Sequence, residues 1–399
     1  MAMLRVGIDG ESLRQDVRWG MGAMLHEASR AGAARGWDCI EYGPPQLGDE
    51  SPLLASLHQA HRSVANLWRG VDLSRRLRRD KVDVWVTSSW MVPVGPWKSV
   101  IAMYDLSFLG QPDEPRTLSD WAQRQWARCQ GVRAACVVTG STWAKSRLVQ
   151  DVGIPAERIA VVPMPIRPVF ERAQALARPP VNLGLNEPYI LTVGDFRPEN
   201  NLLRLVEAYC RLSPTLRGRY RLVLAGPTNV YASALARTIA TWGIADRVHF
   251  AGPQAERQLP ELIAGASLCM WPGFESADGA VAVDALACGT PIVAAEREAM
   301  PEWLGNAALW IAPTQVDSMT AAMTRGLTDE LLRERLRREA QAQAQRLSLS
   351  DVTNRLMSVV EAIAAMKPYT ARAKDTSESA LESLRASDAV RSAAAQRAA

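Results

Sequence analysis

The chain has 399 residues, of which 48% are hydrophobic and 22% charged, and its formal net charge is +4. These values are ordinary for a globular protein with a sizeable buried core, and the length predicts two or three domains. The charge is too small to indicate a nucleic-acid-binding protein by itself.

Short apolar runs alternate with longer amphipathic segments along the first half of the chain. The predicted strands are residues 4–9, 38–42, 82–87, 99–104, 136–139 and 159–162. The predicted helices are residues 20–35, 52–79 and 118–133. Because strands alternating with helices indicate βαβ units, this half is expected to form a parallel sheet.

A proline-rich stretch with little periodicity, residues 164–188, is predicted to be a linker. The alternation then restarts in the second half of the chain. The predicted strands there are residues 189–193, 221–225, 247–250, 267–271 and 291–294, and the predicted helices are residues 201–212, 231–242 and 280–288. An amphipathic helix is expected at residues 348–365, and the Ala/Ser/Arg-rich tail beyond it is expected to be poorly ordered.

This pattern predicts an α/β protein with two doubly wound Rossmann-like domains that face each other. Ligands in such folds bind beyond the carboxyl ends of the strands, so the cleft between the domains is the expected site. The predicted parts are an N-terminal Rossmann-like domain, a linker, a C-terminal Rossmann-like domain, a C-terminal helix and a tail, at residues 1–164, 165–188, 189–347, 348–366 and 367–399.

Two loops that join a strand to a helix are candidate phosphate-binding positions. In the first, Gly20 and Gly22 would let backbone N–H groups approach a phosphate, although a plain flexible turn has the same signature. In the second, residues 194–201, Arg197 is a candidate for binding a diphosphate through a charge-assisted pair. The alternative for the second loop is a solvated turn with an asparagine helix cap.

The stretch WPGFESADGAVAVDALACGTP, residues 271–291, places polar side chains between a buried strand and a buried helix. The helix N-terminus at Gly279 and Ala280 has free N–H groups for a phosphate or a sugar oxygen. Asp284 lies just over one turn into this apolar helix, and a buried carboxylate needs a partner. That partner is either a pair of ribose hydroxyls or a structural arginine or backbone N–H.

Two features of the first half have both a functional and a structural interpretation. Asp105 comes just after the predicted strand 99–104, where a carboxylate is a candidate site residue but can equally cap a turn or helix. Residues 69–81 carry five arginines and a lysine on a predicted helix. This basic run predicts either contact with anionic lipid or an ordinary solvated face.

Several motifs together resemble family 4 glycosyltransferases of the GT-B fold in their order and spacing. In the second half these are YILTVGDFRPENN (189–201), VHFAGP (248–253), AGASLCMWP (264–272) and DALACGTPIV (284–293). In the first half, less specific landmarks are VGID (6–9), GMG (20–22), YDLSFL (104–109), residues 141–145 and IAVVP (159–163). The resemblance covers residues 4–366 and implies the GT-B architecture, with an acceptor-side N-terminal domain and a nucleotide-sugar-binding C-terminal domain.

The resemblance carries the family's charged residues onto this chain unevenly. The family's His-Asp-Leu corresponds to Tyr104-Asp105-Leu106, so the histidine is absent. The basic pair that holds the donor diphosphate in the family falls on Asp195 and Asn200, and neither position is basic. Arg197 is offset from both positions and is the candidate substitute.

The family's two glutamates, eight positions apart, are also altered in this sequence. The second one corresponds to Asp284, which the resemblance assigns to the ribose, and the first corresponds to Ser276. Glu275 is one residue off register, Asp278 stands where the family has an aromatic residue, and Gly279 matches the family's glycine.

The resemblance implies transfer of a sugar from a nucleoside diphosphate sugar to an acceptor hydroxyl, with retention of configuration and without a bound metal. The candidate catalytic residues are Glu275, Asp278 and Asp105. The candidate donor-binding residues are Gly20, Gly22, Arg197, Asn200, Ser276, Gly279, Ala280 and Asp284. The alternative function is a catalytically degenerate GT-B protein that acts as a scaffold or binding partner of an active glycosyltransferase.

The expected partners are a nucleotide-sugar donor and a glycan or lipid-linked acceptor, as in bacterial surface polysaccharide synthesis. No nucleic acid is expected, and residues 69–81 are the candidate segment for peripheral membrane contact, with a solvated face as the alternative. The N-terminus does not resemble a signal peptide, and no apolar run reaches the length of a membrane span. The six cysteines are scattered, with no Cys-x-x-Cys pair, which favours reduced core thiols in a cytoplasmic protein, at most peripheral to the inner face of the membrane.

Overall fold

The computed structural model of the chain describes residues 3–10, 21–43, 62–88, 92–109, 118–170, 187–274 and 279–366. They form two compact units, which separate between Val162 and Pro163 and again between Asp351 and Val352. The first separation lies two residues before the predicted boundary at residue 164. The predicted tail, residues 367–399, is outside the described residues.

The first unit contains a six-stranded parallel sheet in the order β2-β1-β3-β4-β5-β6. Its strands are β1 Leu4–Asp9, β2 Trp37–Tyr42, β3 Val84–Thr87, β4 Lys98–Ala102, β5 Cys136–Thr139 and β6 Ile159–Val161. All four residues of β3, Val-Trp-Val-Thr, are buried, as are those of β5. Such continuous apolar runs are typical of parallel strands, which are covered on both faces.

The helices of the first unit are α1 Met21–Gly32, α2 Arg62–Arg79, α3 Leu118–Arg133 and α4 Thr142–Arg147, joined by most of the C-terminal helix α13, Leu349–Ala365. Ser141 caps α4, because its hydroxyl oxygen accepts a hydrogen bond from the Ala144 N–H at 2.9 Å. Lys98 holds the C-terminal end of α13 in place, because its ammonium group donates to the carbonyls of Ala364, at 2.7 Å, and Met366.

The second unit contains a second six-stranded parallel sheet, in the order β12-β11-β10-β7-β8-β9. Its strands are β7 Tyr189–Val193, β8 Arg221–Ala225, β9 Val248–Gly252, β10 Leu268–Trp271, β11 Ile292–Ala295 and β12 Ala308–Ile311. Its helices are α5 Leu202–Cys210, α6 Pro214–Arg219, α7 Val230–Thr241, α8 Leu259–Ala264, α9 Gly279–Cys288, α10 Met300–Leu304, α11 Val316–Thr328 and α12 Glu330–Arg346.

The prediction of two doubly wound α/β domains is confirmed by these two sheets and their crossover helices. Among the described elements, the sequence pattern did not predict β12 and the helices α4, α6, α8, α10, α11 and α12. Strand β12 has four residues, and α4, α6, α8 and α10 have five or six, so each is too short to show a period. Helices α11 and α12 are long, with 13 and 17 residues, and the sequence analysis left them unassigned.

Residues 163–170, most of which fall in the predicted linker, belong to the second unit and are packed. Met164, Ile166 and Phe170 are buried, and the Ile166 N–H donates to the Leu347 carbonyl at 2.8 Å. This stretch therefore contributes side chains to the second unit, and one of them, Arg167, bears on the site described below.

Candidate functional site

A pocket in the second unit lies at the carboxyl ends of the neighbouring strands β7 and β10. Its lining comes from the end of β7 and the loop after it, from the end of β10 and the residues after it, and from the starts of α5, α9 and α10: Thr192, Val193, Gly194, Asp195, Phe196, Asn200, Leu202, Trp271, Pro272, Gly273, Gly279 and Met300. Because β7 and β10 are parallel and paired, with Leu268 opposite Ile190, their following segments meet at one edge of the sheet. Ligands of open parallel sheets bind at this edge.

The loop after β7 is held in place by hydrogen bonds on both sides. The Gly194 N–H donates to the Ala225 carbonyl at 3.0 Å, and the side-chain amide of Asn200 donates to the Asp195 carbonyl at 2.5 Å. Asn229 donates to the Phe196 carbonyl at 2.8 Å. The predicted donor-binding residue Asn200 thus lines the pocket, and its amide N–H group stabilises the loop itself.

The residue after Asn200 anchors the same loop to the neighbouring strands. Asn201 adopts a left-handed backbone conformation, with φ of 57°, which asparagine tolerates better than most residues. Its side-chain amide donates to the carbonyls of Pro272, at 3.0 Å, and Pro313, at 2.7 Å. The loop is therefore a rigid wall of the pocket.

Arg197 lies in this loop with a half-buried side chain. Its Nε is buried and has no hydrogen-bond partner within the described part of the chain. A buried N–H that is left unpaired costs about 1–3 kcal/mol. A ligand oxygen that accepts from this N–H would remove that cost.

The N-terminus of helix α9 forms the opposite wall of the pocket. A Cβ atom at Gly279 would lie 2.2 Å from Cζ3 of Trp303 and 3.3 Å from Sδ of Met300, so only glycine fits there. Ala280 follows in the first turn and is half-buried. The first N–H groups of the helix have no partner within the helix, and its dipole favours an anion. Glu275, Ser276 and Asp278 lie outside the described residues.

Asp284 is buried inside helix α9, with 1% of its side chain exposed, and it is paired with Arg167. One carboxylate oxygen accepts from the Arg167 backbone N–H at 2.9 Å, and the other accepts from the Arg167 Nε at 2.5 Å. A second carboxylate, Glu256, lies 3.3 Å from Nη1 of the same arginine. The sequence allowed either ribose hydroxyls or a structural arginine or backbone N–H as the partner of Asp284. In this structure the partner is an arginine, Arg167, through both its side chain and its backbone N–H.

Burial raises the pKa of Asp284 from its ordinary value of 3.8 to about 6, while Arg167 opposes this rise. The folded protein therefore binds this proton more tightly than the unfolded chain, and the resulting stabilisation is lost as the pH rises through 4 to 6.

A pH series tests the effect of burial on Asp284. The unfolding free energy of the wild type minus that of Asp284→Asn is expected to fall between about pH 4 and about pH 6, by about 1.4 kcal/mol per pH unit, and then to level off. Urea unfolding of both proteins across this range measures the difference. A difference that grows with pH would show that Arg167 outweighs burial.

Two of the remaining predicted residues, Asp105 and Gly22, lie in the first unit. Asp105 is exposed and lies three positions after the end of β4, and Gly22 is buried in the first turn of α1. Gly20 is outside the described residues. Neither Asp105 nor Gly22 lines the pocket described above.

Three residues of interest were missed by the sequence analysis. Asp9 is buried at the carboxyl end of β1, where its carboxylate accepts from the Thr87 hydroxyl at 2.7 Å, and the criterion applied to Asp105 would have found it. Trp271 lines the pocket with a buried indole N–H that has no partner among the described residues. Arg167 could not be recognised from its neighbours in the sequence, because it lies in a proline-rich stretch that was predicted to be a linker.

Within the described residues, no group of three or more His, Cys, Asp or Glu side chains is arranged to hold a metal ion. The helices that the structure describes also include none that is long and apolar enough to cross a membrane.

The family described as Glycosyl transferases group 1 matches residues 174–343. The O-antigen chain mannosyltransferase B of Escherichia coli is 25% identical over 237 residues, which is 56% of this chain and 60% of that protein. The D-inositol 3-phosphate glycosyltransferase of Acidothermus cellulolyticus is 27% identical over 282 residues, which is 68% of this chain and 62% of that protein. The chain thus spans less than two thirds of the length of these two relatives.

Among solved structures, HepE of Anabaena in complex with UDP and glucose superposes with a TM-score of 0.62 at 17% identity, covering 90% of this chain and 99% of that one. This similarity concerns the fold, and it confirms the predicted GT-B architecture.

Proposed function

We propose that this chain, whose residues 174–343 carry a glycosyl transferases group 1 domain, transfers a sugar from a nucleoside diphosphate sugar to an acceptor hydroxyl. The observation that carries the proposal is the pocket at the carboxyl ends of β7 and β10, closed by the N-terminus of α9. The names of the two relatives, a mannosyltransferase and an inositol phosphate glycosyltransferase, support the same class of reaction. The UDP and glucose bound to HepE support this class of donor.

The residues of the pocket suit the charge that develops in such a transfer. When the sugar leaves, negative charge accumulates on the diphosphate, and donors that are already oriented stabilise it best. The N–H groups at Gly279 and Ala280 belong to a helix packed tightly on Trp303, so their positions are fixed. Arg197 is not among the residues that line the pocket, but it lies in the loop that does, and its guanidinium, with the unpaired Nε, is the proposed positively charged donor in place of the missing basic pair.

The ribose contact that the resemblance assigns to Asp284 would require one of its two bonds to Arg167 to open. Both carboxylate oxygens already accept from that arginine, at 2.9 and 2.5 Å. We therefore propose that Asp284 holds α9 against residues 163–170. The catalytic carboxylate is proposed among Glu275, Asp278 and Asp105, the candidates that the sequence predicts.

The alternative function, a scaffold protein with a degenerate site, is favoured by a different observation. The two positions that hold the diphosphate in the family are Asp195 and Asn200, and the Asn200 amide is occupied within its own loop. A scaffold would co-purify with an active glycosyltransferase and would neither bind nor consume a donor.

A panel of sugar donors separates the two functions, and Arg197→Ala tests the role of Arg197. With a panel of uridine, guanosine, thymidine and adenosine diphosphate sugars, one donor is expected to raise the melting temperature of the wild type. Arg197→Ala is expected to weaken the matching nucleoside diphosphate about tenfold to a hundredfold and the free nucleoside hardly at all. Calorimetric titration measures both affinities.

The matched control is Arg211→Ala, because Arg211 lies in the same unit on the surface and pairs with Glu207 and Asp317. This change is expected to leave both affinities unchanged. The proposal fails if no donor shifts the melting temperature, and the role of Arg197 fails if diphosphate and nucleoside weaken equally. Formation of a glycosylated acceptor by the wild type distinguishes transfer from donor binding alone.

The finer expectations remain proposals of the same kind: retention of configuration, transfer without a metal ion, a glycan or lipid-linked acceptor, and action at the cytoplasmic side of a membrane. For the basic segment 69–81, two of the described arginines have partners within the first unit. Arg76 lies over the ring of Tyr42, and Arg79 pairs with Asp80 at 2.8 Å. Arg75 and Arg78 are exposed and available for lipid headgroups.

A further inference from the structure

Helix α3 of the first unit exposes two tryptophans to solvent. The exposed fractions are 61% for Trp121, 52% for Trp126 and 42% for Val132. Large aromatic side chains are costly to leave in water, and clusters of exposed apolar residues mark interaction surfaces. The exposed face of α3 is therefore a candidate binding surface.

The opposite face of the same helix is firmly attached to the first unit. Arg124, Ala127 and Gln130 are buried, and Arg124 donates to the Leu109 carbonyl. The Gln130 side-chain oxygen accepts from the Val92 N–H at 2.9 Å. The tryptophans are therefore presented by a fixed helix.

The exposed residues share one side of the helix. At 3.6 residues per turn, Trp121, Gln125, Cys129, Val132, Arg133 and Trp126 fall within an arc of about 140°. Val94, which is 72% exposed, belongs to the segment that Arg133 ties to the end of this arc by donating to the Val92 carbonyl at 3.0 Å. We call these seven residues together with Arg128 the tryptophan face.

The charge on the tryptophan face has a single sign. From residue 121 to residue 133 the sequence has three arginines and no aspartate or glutamate. Of these, Arg128 and Arg133 are exposed. Tryptophan and arginine both combine an apolar body with a polar group, which suits the boundary between lipid headgroups and acyl chains.

We propose that the tryptophan face binds the headgroup region of an anionic lipid bilayer. A second copy of the chain fits less well, because pairing this face with itself would place arginines opposite arginines, and like charges across an interface are unfavourable. An anionic lipid surface complements the arginines and accepts the tryptophans. This binding does not depend on whether the chain transfers sugar.

Flotation of the full chain with vesicles tests the proposal. The wild type is expected to float with vesicles of phosphatidylglycerol and phosphatidylcholine, and much less with phosphatidylcholine alone. Replacing both tryptophans, W121S together with W126S, is expected to reduce partitioning at least about tenfold. R128Q together with R133Q is expected to remove the preference for anionic lipid, and raising NaCl from about 50 mM to about 500 mM should do the same.

Two controls make the result specific. W242S removes another exposed tryptophan, 40% exposed and in the second unit, and should leave flotation unchanged. R335Q together with R338Q removes two exposed arginines of helix α12 in the second unit and should also leave flotation unchanged. Circular dichroism checks that each variant remains folded.

A fluorescence measurement tests the same proposal even if the serine variants do not fold. Brominated lipids are expected to quench the wild type more than W121F together with W126F, which keeps the aromatic rings. The proposal is overturned if the wild type fails to float with anionic vesicles, if W121S/W126S floats equally well, or if quenching is unchanged. It is also overturned if light scattering shows that the tryptophans instead mediate self-association.

Discussion

Asp284→Ala is expected to lower the unfolding free energy of the second unit by about 3–5 kcal/mol, because it leaves Arg167 buried without its main partner. Only 7% of the Arg167 side chain and 1% of the Asp284 side chain are exposed, so water cannot replace the lost bonds. The loss should be visible as faster hydrogen exchange in α9 and in residues 163–170, the two segments that the pair joins.

A double-mutant cycle separates the pair from the effect of removing one side chain. Arg167→Met alone and Asp284→Leu alone should each destabilise the unit, because each leaves one charge of the pair buried without its partner. Arg167→Met combined with Asp284→Leu should recover most of the loss, since two apolar side chains can replace a buried ion pair.

Asp317→Ala provides the matched control, because Asp317 pairs with Arg211 but is 90% exposed. Exposed pairs of this kind contribute little to stability, so the control should unfold like the wild type. Equal destabilisation by the single and double variants would contradict a coupled pair and indicate that Asp284 acts through packing alone.

Much of the fold could be predicted from the sequence because parallel strands buried on both faces read as short apolar runs. Strand β7 was predicted at residues 189–193 and β8 at residues 221–225, and both strands have these bounds in the structure. The rule that ligands bind at the carboxyl ends of strands then led to the loop 194–201, and the predicted start of a buried helix led to Gly279. Gly194 and Asn200 of this loop and Gly279 line the pocket.

The partner of Asp284 could not be predicted, because the pairing is set by tertiary packing. Arg167 and Asp284 are 117 residues apart in the sequence. Nothing local to Arg167 distinguishes it from other arginines in a proline-rich stretch. The sequence showed that a buried carboxylate needs a partner, and only the fold shows which one it has.

Gly226 illustrates a second kind of information that the sequence does not display. It follows strand β8 and does not line the pocket, yet a Cβ atom there would lie 2.0 Å from the carbonyl oxygen of Gly194 and 2.9 Å from the ring of Phe196. The nearest of these atoms belongs to the backbone of the loop that walls the pocket. A side chain at Gly226 would therefore displace the loop.

Gly226→Ala is expected to weaken nucleoside diphosphate binding at least about tenfold and to lower the unfolding free energy by about 1–3 kcal/mol, as overpacking does elsewhere. Calorimetric titration measures the first effect and urea unfolding the second. The matched control is Gly218→Ala in helix α6, where no atom lies within 4 Å of the added Cβ. Alanine is favoured over glycine in a helix, so this control should bind normally and be at least as stable as the wild type.

The two glycine variants make the cause of any binding loss identifiable, because both add one methyl group and neither residue lines the pocket. If Gly226→Ala weakens binding while Gly218→Ala does not, the affinity depends on the position of the loop from Gly194 to Asn200. If Gly226→Ala lowers stability and leaves binding intact, the diphosphate does not contact that loop. The pocket beside β7 would then lose its place as the donor site.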